Sequence, residues 1–406
     1  MSPFRPIFVV GLGLLAVAIS ACSTGGAAVP DEVRGWERAE LYSHRDVVEY
    51  DRVAVGSNGQ LAAWLTRSRG VTDLLSVSAW GPSDRTEHQE LDLPEGVTGQ
   101  ELIPAAIAVD NVGWTAVAEV RPKGDLTTDV AVWSGASRTS EVPTTLELPD
   151  GQVVSRTLAA GRSRTTAAVL ALTGVASPGA KGLPEASRLI LWTATIDRNG
   201  TTTGAWKRTE PDLGTRLPLN TAAIVGAGAN GLVLAGTTRD GDAKLWTSAD
   251  GNAWKPQEGT LPKGMAELEL LAPLVDGSAL VAWADQGRAQ EAKVWRFDDG
   301  KLTDLGTIAG AEGQSLDLKS AATVDDRLVV AGSTVQNDTW RPFVHARNDD
   351  GEWIASDQAD LVGQLDWSIE AIAAQGDDRL GAVMVSTPFH IDVSTWTWRR
   401  PTDAKS

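Results

Sequence analysis

Side chains suited to bond-making chemistry are scarce in this 406-residue chain. It has one cysteine (Cys22), two tyrosines (Tyr42 and Tyr50) and four histidines (His44, His88, His345 and His390). One thiol and four scattered imidazoles cannot supply a zinc centre or a disulfide framework. Each histidine is flanked by ordinary strand or linker residues, and no Gly-x-Ser-x-Gly elbow occurs, so a Ser–His–Asp triad has no anchor. Carboxylates are plentiful: 53 Asp and Glu stand against 36 Lys and Arg, a net charge of -17. Glycoside hydrolysis needs two carboxyl groups facing one sugar, about 5–10 Å apart. Asp349-Asp350 and Asp377-Asp378 read as turn residues. Glu101, Glu269 and Asp317 stand on strands that can face a central funnel. Asp240-Gly241-Asp242 and Asn348-Asp349-Asp350-Gly351 offer oxygens to Ca²⁺, but the spaced Asp-x-Asp-x-Asp-Gly loop with a distal Glu is missing. Gly226–Gly228 precedes a hairpin rather than a helix and is no phosphate loop. No catalytic residue, metal or cofactor is therefore expected.

Five cations fall on three long loops: Arg67 and Arg69 in Thr66–Asp73, Arg121 and Lys123 in Arg121–Thr128, and Lys181 in the insertion Thr173–Ser187. On neighbouring loops of an acidic protein they would form a local basic rim for an anionic polymer or the acidic patch of a protein. A general nucleic-acid binder needs a basic stripe to displace phosphate counterions, and the charge balance excludes that class.

The elements that must carry these residues are short strands. Seven Ala/Val/Leu-rich runs begin at Leu61, Trp114, Thr166, Leu232, Ala279, Leu328 and Leu380, about 50 residues apart. The one long gap contains the insertion. Each run follows a turn signal such as Asn230-Gly231 or Asp276-Gly277. Before the turn lies another apolar run, as in Ala105–Val109, Thr221–Val225, Leu270–Val275, Ser320–Val324 and Ala371–Ala374.

A third strand follows, usually ending near a Trp: Leu74–Trp80, Asp129–Trp133, Arg188–Trp192, Lys244–Trp246, Lys293–Trp295, Phe343–Ala346 and Phe389–Trp396. A fourth, more polar strand comes next, as in Gln89–Leu93 and Thr144–Leu148. Four strands per unit predict an all-β fold, a seven-bladed β-propeller of four-stranded blades over residues 41–400, with a tail at 401–406. Val33–Glu40 is expected to pair with the last blade and close the ring. A ring of six or eight blades, or two domains divided near Leu213–Pro218, stays open. Trp outnumbers Phe and Tyr together, 16 to 7, which suits packing between radial sheets.

Ahead of the strands, Arg5, the apolar run Ile7–Ile19 and then Ile19-Ser20-Ala21-Cys22 resemble a bacterial lipobox signal. The resemblance implies a signal peptide over residues 1–21, cleavage before Cys22 and a lipid on its sulfur. Residues 22–40 then form the lipidated Cys and a flexible tether. The implied location is the extracytoplasmic face of a cell membrane, lipid-anchored. The Ala-, Gly- and Asp-rich composition resembles that of actinobacterial proteins.

Thr247-Ser248-Ala249-Asp250-Gly251-Asn252-Ala253-Trp254 resembles the Asp-box of sialidase-like propellers, with Asp250 and Gly251 adjacent where the common form has one residue between them. Weaker copies are Asp197–Trp206, Asp298-Asp299-Gly300 and Asn348–Trp353. The resemblance implies a structural role for Ser248, Asp250, Gly251 and Trp254, away from any active site. Sialidase chemistry itself lacks its parts. Both tyrosines come at the start of the chain, and the Arg-Ile-Pro element is absent, Arg341-Pro342 being the nearest match. The function expected is a non-catalytic binding or scaffolding lipoprotein, monomeric, presenting a propeller face to a protein or cell-envelope glycan. A glycan-processing hydrolase or lyase is the alternative.

Overall fold

The structure is a computed structural model. It describes residues 32–399 except 34–35, 44–46, 57–61, 69–73, 81–85, 95–99, 123–127, 137–138, 141–142, 176–187, 215–218, 227–230, 258–260, 262–264, 266, 285–289, 311–313, 325, 337–338, 356–366, 375–378 and 387–391. The expected signal peptide, Cys22, most of the expected tether and the tail lie outside the described residues. The described residues are strand and turn, with no helix.

The chain enters through β1 (Glu32–Val33) and β2 (Trp36–Ser43). Blade 1 is β3 (Val47–Val55), β4 (Ala62–Ser68), β5 (Leu74–Trp80) and β6 (Thr86–Glu90). Blade 2 is β7 (Gln100–Val109), β8 (Gly113–Pro122) and β9 (Asp129–Ala136), with β10 (Thr139–Ser140) and β11 (Thr144–Leu146) both on the edge of β9. Blade 3 is β12 (Gln152–Arg162), β13 (Thr166–Val175), β14 (Arg188–Ile196) and β15 (Thr202–Thr209). Blade 4 is β16 (Leu219–Gly226), β17 (Leu232–Thr238), β18 (Ala243–Ser248) and β19 (Lys255–Pro256). Blade 5 is β20 (Glu267–Pro273), β21 (Ala279–Ala284), β22 (Glu291–Asp298) and β23 (Lys301–Ala309). Blade 6 is β24 (Ser315–Val324), β25 (Arg327–Gln336), β26 (Thr339–Arg347) and β27 (Trp353–Ala355). Blade 7 is β28 (Trp367–Ala374), β29 (Arg379–Ser386) and β30 (Asp392–Arg399).

Pairing is antiparallel throughout, in seven separate sheets. The first strands of successive blades touch in the order β3, β7, β12, β16, β20, β24, β28 and back to β3, so they form a closed inner ring. The ring is latched by β2, which adds to β30 with Trp36 opposite Trp398 and Ser43 opposite Asp392. The latching strand is thus Trp36–Ser43, shifted toward the C-terminus from Val33–Glu40, because Val33 turns back to pair with Trp36 itself. The seventh third strand is likewise Asp392–Arg399 rather than Phe389–Trp396.

Second strands explain the apolar runs. β17 and β21 are buried at every residue, and β13 at every residue but the last. A strand sandwiched between two neighbouring blades has no wet face, so it reads as a continuous run rather than an alternation. Each apolar cluster accordingly lies between two blades: Val77 and Leu91 meet Leu102 and Trp114, and Val117 and Val132 meet Val154 and Trp192. The tryptophans add a polar tie. Trp133 Nε1 donates to the carbonyl of Asp92 (2.8 Å), Trp192 Nε1 to that of Glu147 (3.0 Å) and Trp246 Nε1 to that of Leu213 (3.0 Å). Each Trp stands on the third strand of its blade, and each acceptor lies in the segment leaving the blade before it. One side chain thus fills the wedge and satisfies a connector carbonyl.

Two outer strands are long and leave an open edge, β15 and β23. Both carry a register break beside a glycine at positive φ, Gly204 (77°) and Gly306 (92°). Such bulges bend an edge away from flat pairing with another chain.

Candidate functional site

The inner ring encloses a channel of about 240 Å³. All seven first strands contribute, and the wall is chiefly Ala, Val, Leu and Ile, for example Val55, Ala106, Leu158, Ala223, Leu271 and Ala371. The register of every first strand skips at least one residue: Asp51, Ala105, Leu158, Asn220, Glu269, Lys319 and Glu370 in β3, β7, β12, β16, β20, β24 and β28, with a second skip at Val48 in β3 and at Ser155 in β12. A bulge re-aims its extra residue, and Ala105, Leu158, Lys319 and Glu370 line the channel. Charge therefore enters the wall on blades 6 and 7, where blades 2 and 3 offer methyl and isobutyl groups.

The charges are individually held. Ser333 Oγ donates to Ser368 Oγ at 2.8 Å, and Ser368 Oγ donates to Glu370 Oε1 at 2.6 Å. Both serines are wholly buried. Lys319 Nζ lies 3.0 Å from Asp317 Oδ2 on its own strand. Glu269, one strand away, accepts the backbone N–H of Leu318. Burial, then the like charges of Glu267 and Asp317, push its carboxyl up to about 7, against the opposing pull of Lys319. Of the three funnel carboxylates expected from sequence, Glu269 and Asp317 are thus brought together. Glu101 lies on β7, opposite Arg121.

Where the first strands end, the fully buried Arg162 closes the wall. Its Nη1 donates to the carbonyl of Trp114 (2.9 Å) and to Thr115 Oγ1 (3.0 Å), its Nη2 to the carbonyl of Gly200, and its Nε sits 2.9 Å from Asp110 Oδ2. Asp110 Oδ1 in turn accepts the N–H groups of Val112 (2.7 Å) and Gly113 (2.8 Å). A charge this deep requires such partners; the Nε–Oδ2 contact is an ion pair without hydrogen-bond geometry.

The basic rim is placed differently from expectation where it is described. Arg67 is a strand residue on β4, opposite Glu49, and Arg121 is a strand residue on β8. The second strands run on to Ser68 and Pro122 because β3 and β7 reach far enough to pair with them. Arg121 is drawn to its own strand, 3.9 Å from Glu119, whose other oxygen accepts the N–H of Thr157 at 2.8 Å. Arg69, Lys123 and Lys181 lie outside the described residues, as does Cys22.

Ser248, Asp250, Gly251 and Trp254 form one turn between β18 and β19. Asp250 Oδ1 accepts Ser248 Oγ (3.3 Å), Asn252 N–H (2.9 Å) and Ala253 N–H (3.3 Å). The Asn252 bond is the chief cause that holds the Asp250 carboxyl below its usual range. Gly251 has φ 76°, and a Cβ there would lie 2.7 Å from Thr193 Cγ2 of the preceding blade. Trp254 folds over the turn and donates Nε1–H to the Gly251 carbonyl at 3.0 Å. Asp197, Asp299-Gly300 and Asn348 occupy the same turn in blades 3, 5 and 6.

His345 packs edge-on against Phe343, and burial pulls its imidazole below the ordinary range. Among the described residues no three His, Cys, Asp or Glu side chains cluster as metal ligands. Sequence reasoning passed over Lys319, Glu370 and the Ser333–Ser368 pair, because bulge register is not written in residue type. The signal for Glu370 was a lone acid within the apolar stretch Trp367–Ala374.

No family model and no curated protein sequence matches the chain. Solved structures resemble it at low identity. Acylaminoacyl peptidase from Pyrococcus horikoshii is 10% identical with a TM-score of 0.47, over 88% of this chain and 53% of that one. The β-propeller domain of the Trilobed protease from Pyrococcus furiosus, described as having an open velcro topology, is 9% identical with a TM-score of 0.45, over 90% and 100%. The intramolecular trans-sialidase from Ruminococcus gnavus, in complex with oseltamivir carboxylate, is 11% identical with a TM-score of 0.48, over 86% and 94%. The chain spans about half the length of the acylaminoacyl peptidase. The likeness is one of propeller fold.

Proposed function

We propose that this propeller is a non-catalytic binding or scaffolding lipoprotein, anchored through Cys22 to the extracytoplasmic face of a membrane and presenting a rigid face to a protein or cell-envelope polymer. The observation that carries the non-catalytic reading is the channel. Its volume of about 240 Å³ falls below the roughly 300–1,000 Å³ of small-molecule sites. Its wall is chiefly aliphatic, and among the described residues its one glutamate has Oε1 bound by a serine chain. A sugar flanked by an acid and a base does not fit such a space. Anchoring rests on the lipobox-like Ile19-Ser20-Ala21-Cys22; two or three acyl chains at about 0.8 kcal/mol per buried CH₂ hold a protein on a bilayer.

The test has two arms. The full chain, made in a bacterium, should partition into the detergent phase and carry an acylated Cys22; Cys22→Ser should move it to the aqueous phase. Residues 23–406, cross-linked in envelope extracts, should recover one partner in near-equal amount. Equal partitioning of both forms, or recovery of nothing above background, would remove the corresponding half of the reading.

One observation favours the second reading, a glycan hydrolase: Glu269, pushed up to about 7, stands close enough to Asp317 to feel its like charge, a pair of carboxyl groups in which one keeps its proton near neutrality. Release of reducing ends from envelope glycans, abolished by Glu269→Gln, would establish it.

A further inference from the structure

The channel is too small for a saccharide, yet it is hollow, and its polar groups are not evenly spread. Arg162 is matched by Asp110 and Lys319 by Asp317. Glu370 is the remaining charge on the wall among the described residues, and its Oε1 is fixed by the Ser333–Ser368 hydroxyl chain. Its Oε2 has no partner among the described residues. Both hydroxyls are wholly buried, so the chain sets the carboxylate before any ligand arrives. On the other walls stand Ala106, Leu158, Ala223, Ile224 and Leu271, which offer a ligand only apolar contact.

We propose that the central channel is a binding site for an alkylammonium group, a primary amine on a short unbranched apolar stem, its charge met by Glu370 and its stem lying along the aliphatic wall. A carboxylate oriented by a buried donor makes a short charge-assisted bond to an N–H group without reorganisation. Among the described residues both cations on the wall, Arg162 and Lys319, are already held by carboxylates, which disfavours an anion. A bulky quaternary ammonium lacks the N–H donors the carboxylate requires. The same chemistry arises from a free alkylamine or from a lysine side chain on a bound partner. The inference stands apart from membrane anchoring and needs no partner of known identity.

The test is calorimetric titration of residues 23–406 with n-butylamine, with Nα-acetyl-lysine methylamide, and with n-butanol as the uncharged control. A ligand of this size should bind with Kd of about a millimolar. Glu370→Gln, nearly isosteric, should weaken amine binding at least about tenfold, and Ser368→Ala about threefold to tenfold. Ala223→Leu fills the channel from the opposite wall, keeps Glu370 intact and should abolish binding. Thermal melting of each variant shows whether the ring is intact. Binding of butylamine alone points to a free amine; binding of the lysine amide at least as tight points to a partner's side chain. The proposal is overturned if neither amine binds at about 100 mM, if butanol binds as well as butylamine, or if folded Glu370→Gln or Ala223→Leu binds like the parent.

Discussion

Arg162 Nε and Asp110 Oδ2 lie 2.9 Å apart, with both side chains buried. Asp110 directly follows the first strand of blade 2 and Arg162 ends that of blade 3, so the pair ties two blades at the rim of the channel. Asp110→Asn keeps an oxygen for the Val112 and Gly113 N–H groups but removes the negative charge 2.9 Å from the guanidinium. We expect it to lower unfolding free energy by about 3–5 kcal/mol, read as a fall in the urea midpoint with the slope unchanged. A loss below about 1 kcal/mol would show that water reaches the arginine.

The tryptophan ties between blades predict a smaller, specific effect. Trp192→Phe keeps most of the buried ring but removes the Nε1–H donated to Glu147. The carbonyl is left without its donor, at a cost of about 1–3 kcal/mol. Trp133→Phe and Trp246→Phe should cost similar amounts, because the same bond recurs one blade on either side. Chemical denaturation of the three variants checks this, and a neutral result in all three would reduce the ties to simple packing.

At the β18–β19 turn, Gly251→Ala must accept φ 76° and a Cβ contact at 2.7 Å, a loss of about 1–3 kcal/mol. Asp250→Asn tests the charge. The Asp250 carboxyl is held below its usual range, first by the Asn252 N–H. Its contribution is therefore present above the unfolded value near 3.8 and lost as pH falls through the lower folded value. The variant should flatten the stability profile below about pH 4 and leave the blade count unchanged. An acid limb identical to the parent's would assign it to other carboxylates.

How much of this could be read from the chain follows from burial. The second-strand runs beginning at Thr166, Leu232 and Ala279 start where β13, β17 and β21 start, because strands buried on both faces leave an uninterrupted apolar signal. Third strands were found by their tryptophans, yet β9 continues past Trp133 to Ala136. Channel chemistry was less legible. Whether Glu370 faces the channel or a neighbouring blade depends on the register break after Ile369, and a one-residue slip turns every side chain around. In the sequence, Gly161-Arg162-Ser163 reads as a turn signal. The burial of Arg162 follows from Gly200 and Trp114, distant in sequence, which supply its carbonyl partners.

Glu269 predicts a pH dependence of the opposite sign to Asp250. Its carboxyl is raised from 4.5 to about 7, first by burial and then by Glu267 and Asp317. Between those values the native chain keeps a proton that the unfolded chain has released. Its stabilising contribution is complete below about pH 4.5 and is lost as pH rises toward 7. A shift of this size corresponds to about 3 kcal/mol; the group is partly exposed, so solvent screening should leave about 1–2 kcal/mol. Glu269→Gln cannot ionise and still accepts the Leu318 N–H through its amide oxygen. It should match the parent near pH 4.5, exceed it at pH 8 and flatten the slope between. Urea midpoints at half-unit pH steps give the profile. If the variant's curve runs parallel to the parent's, the Glu269 carboxyl titrates alike in the folded and unfolded chains, and Glu267 and Asp317 do not crowd it.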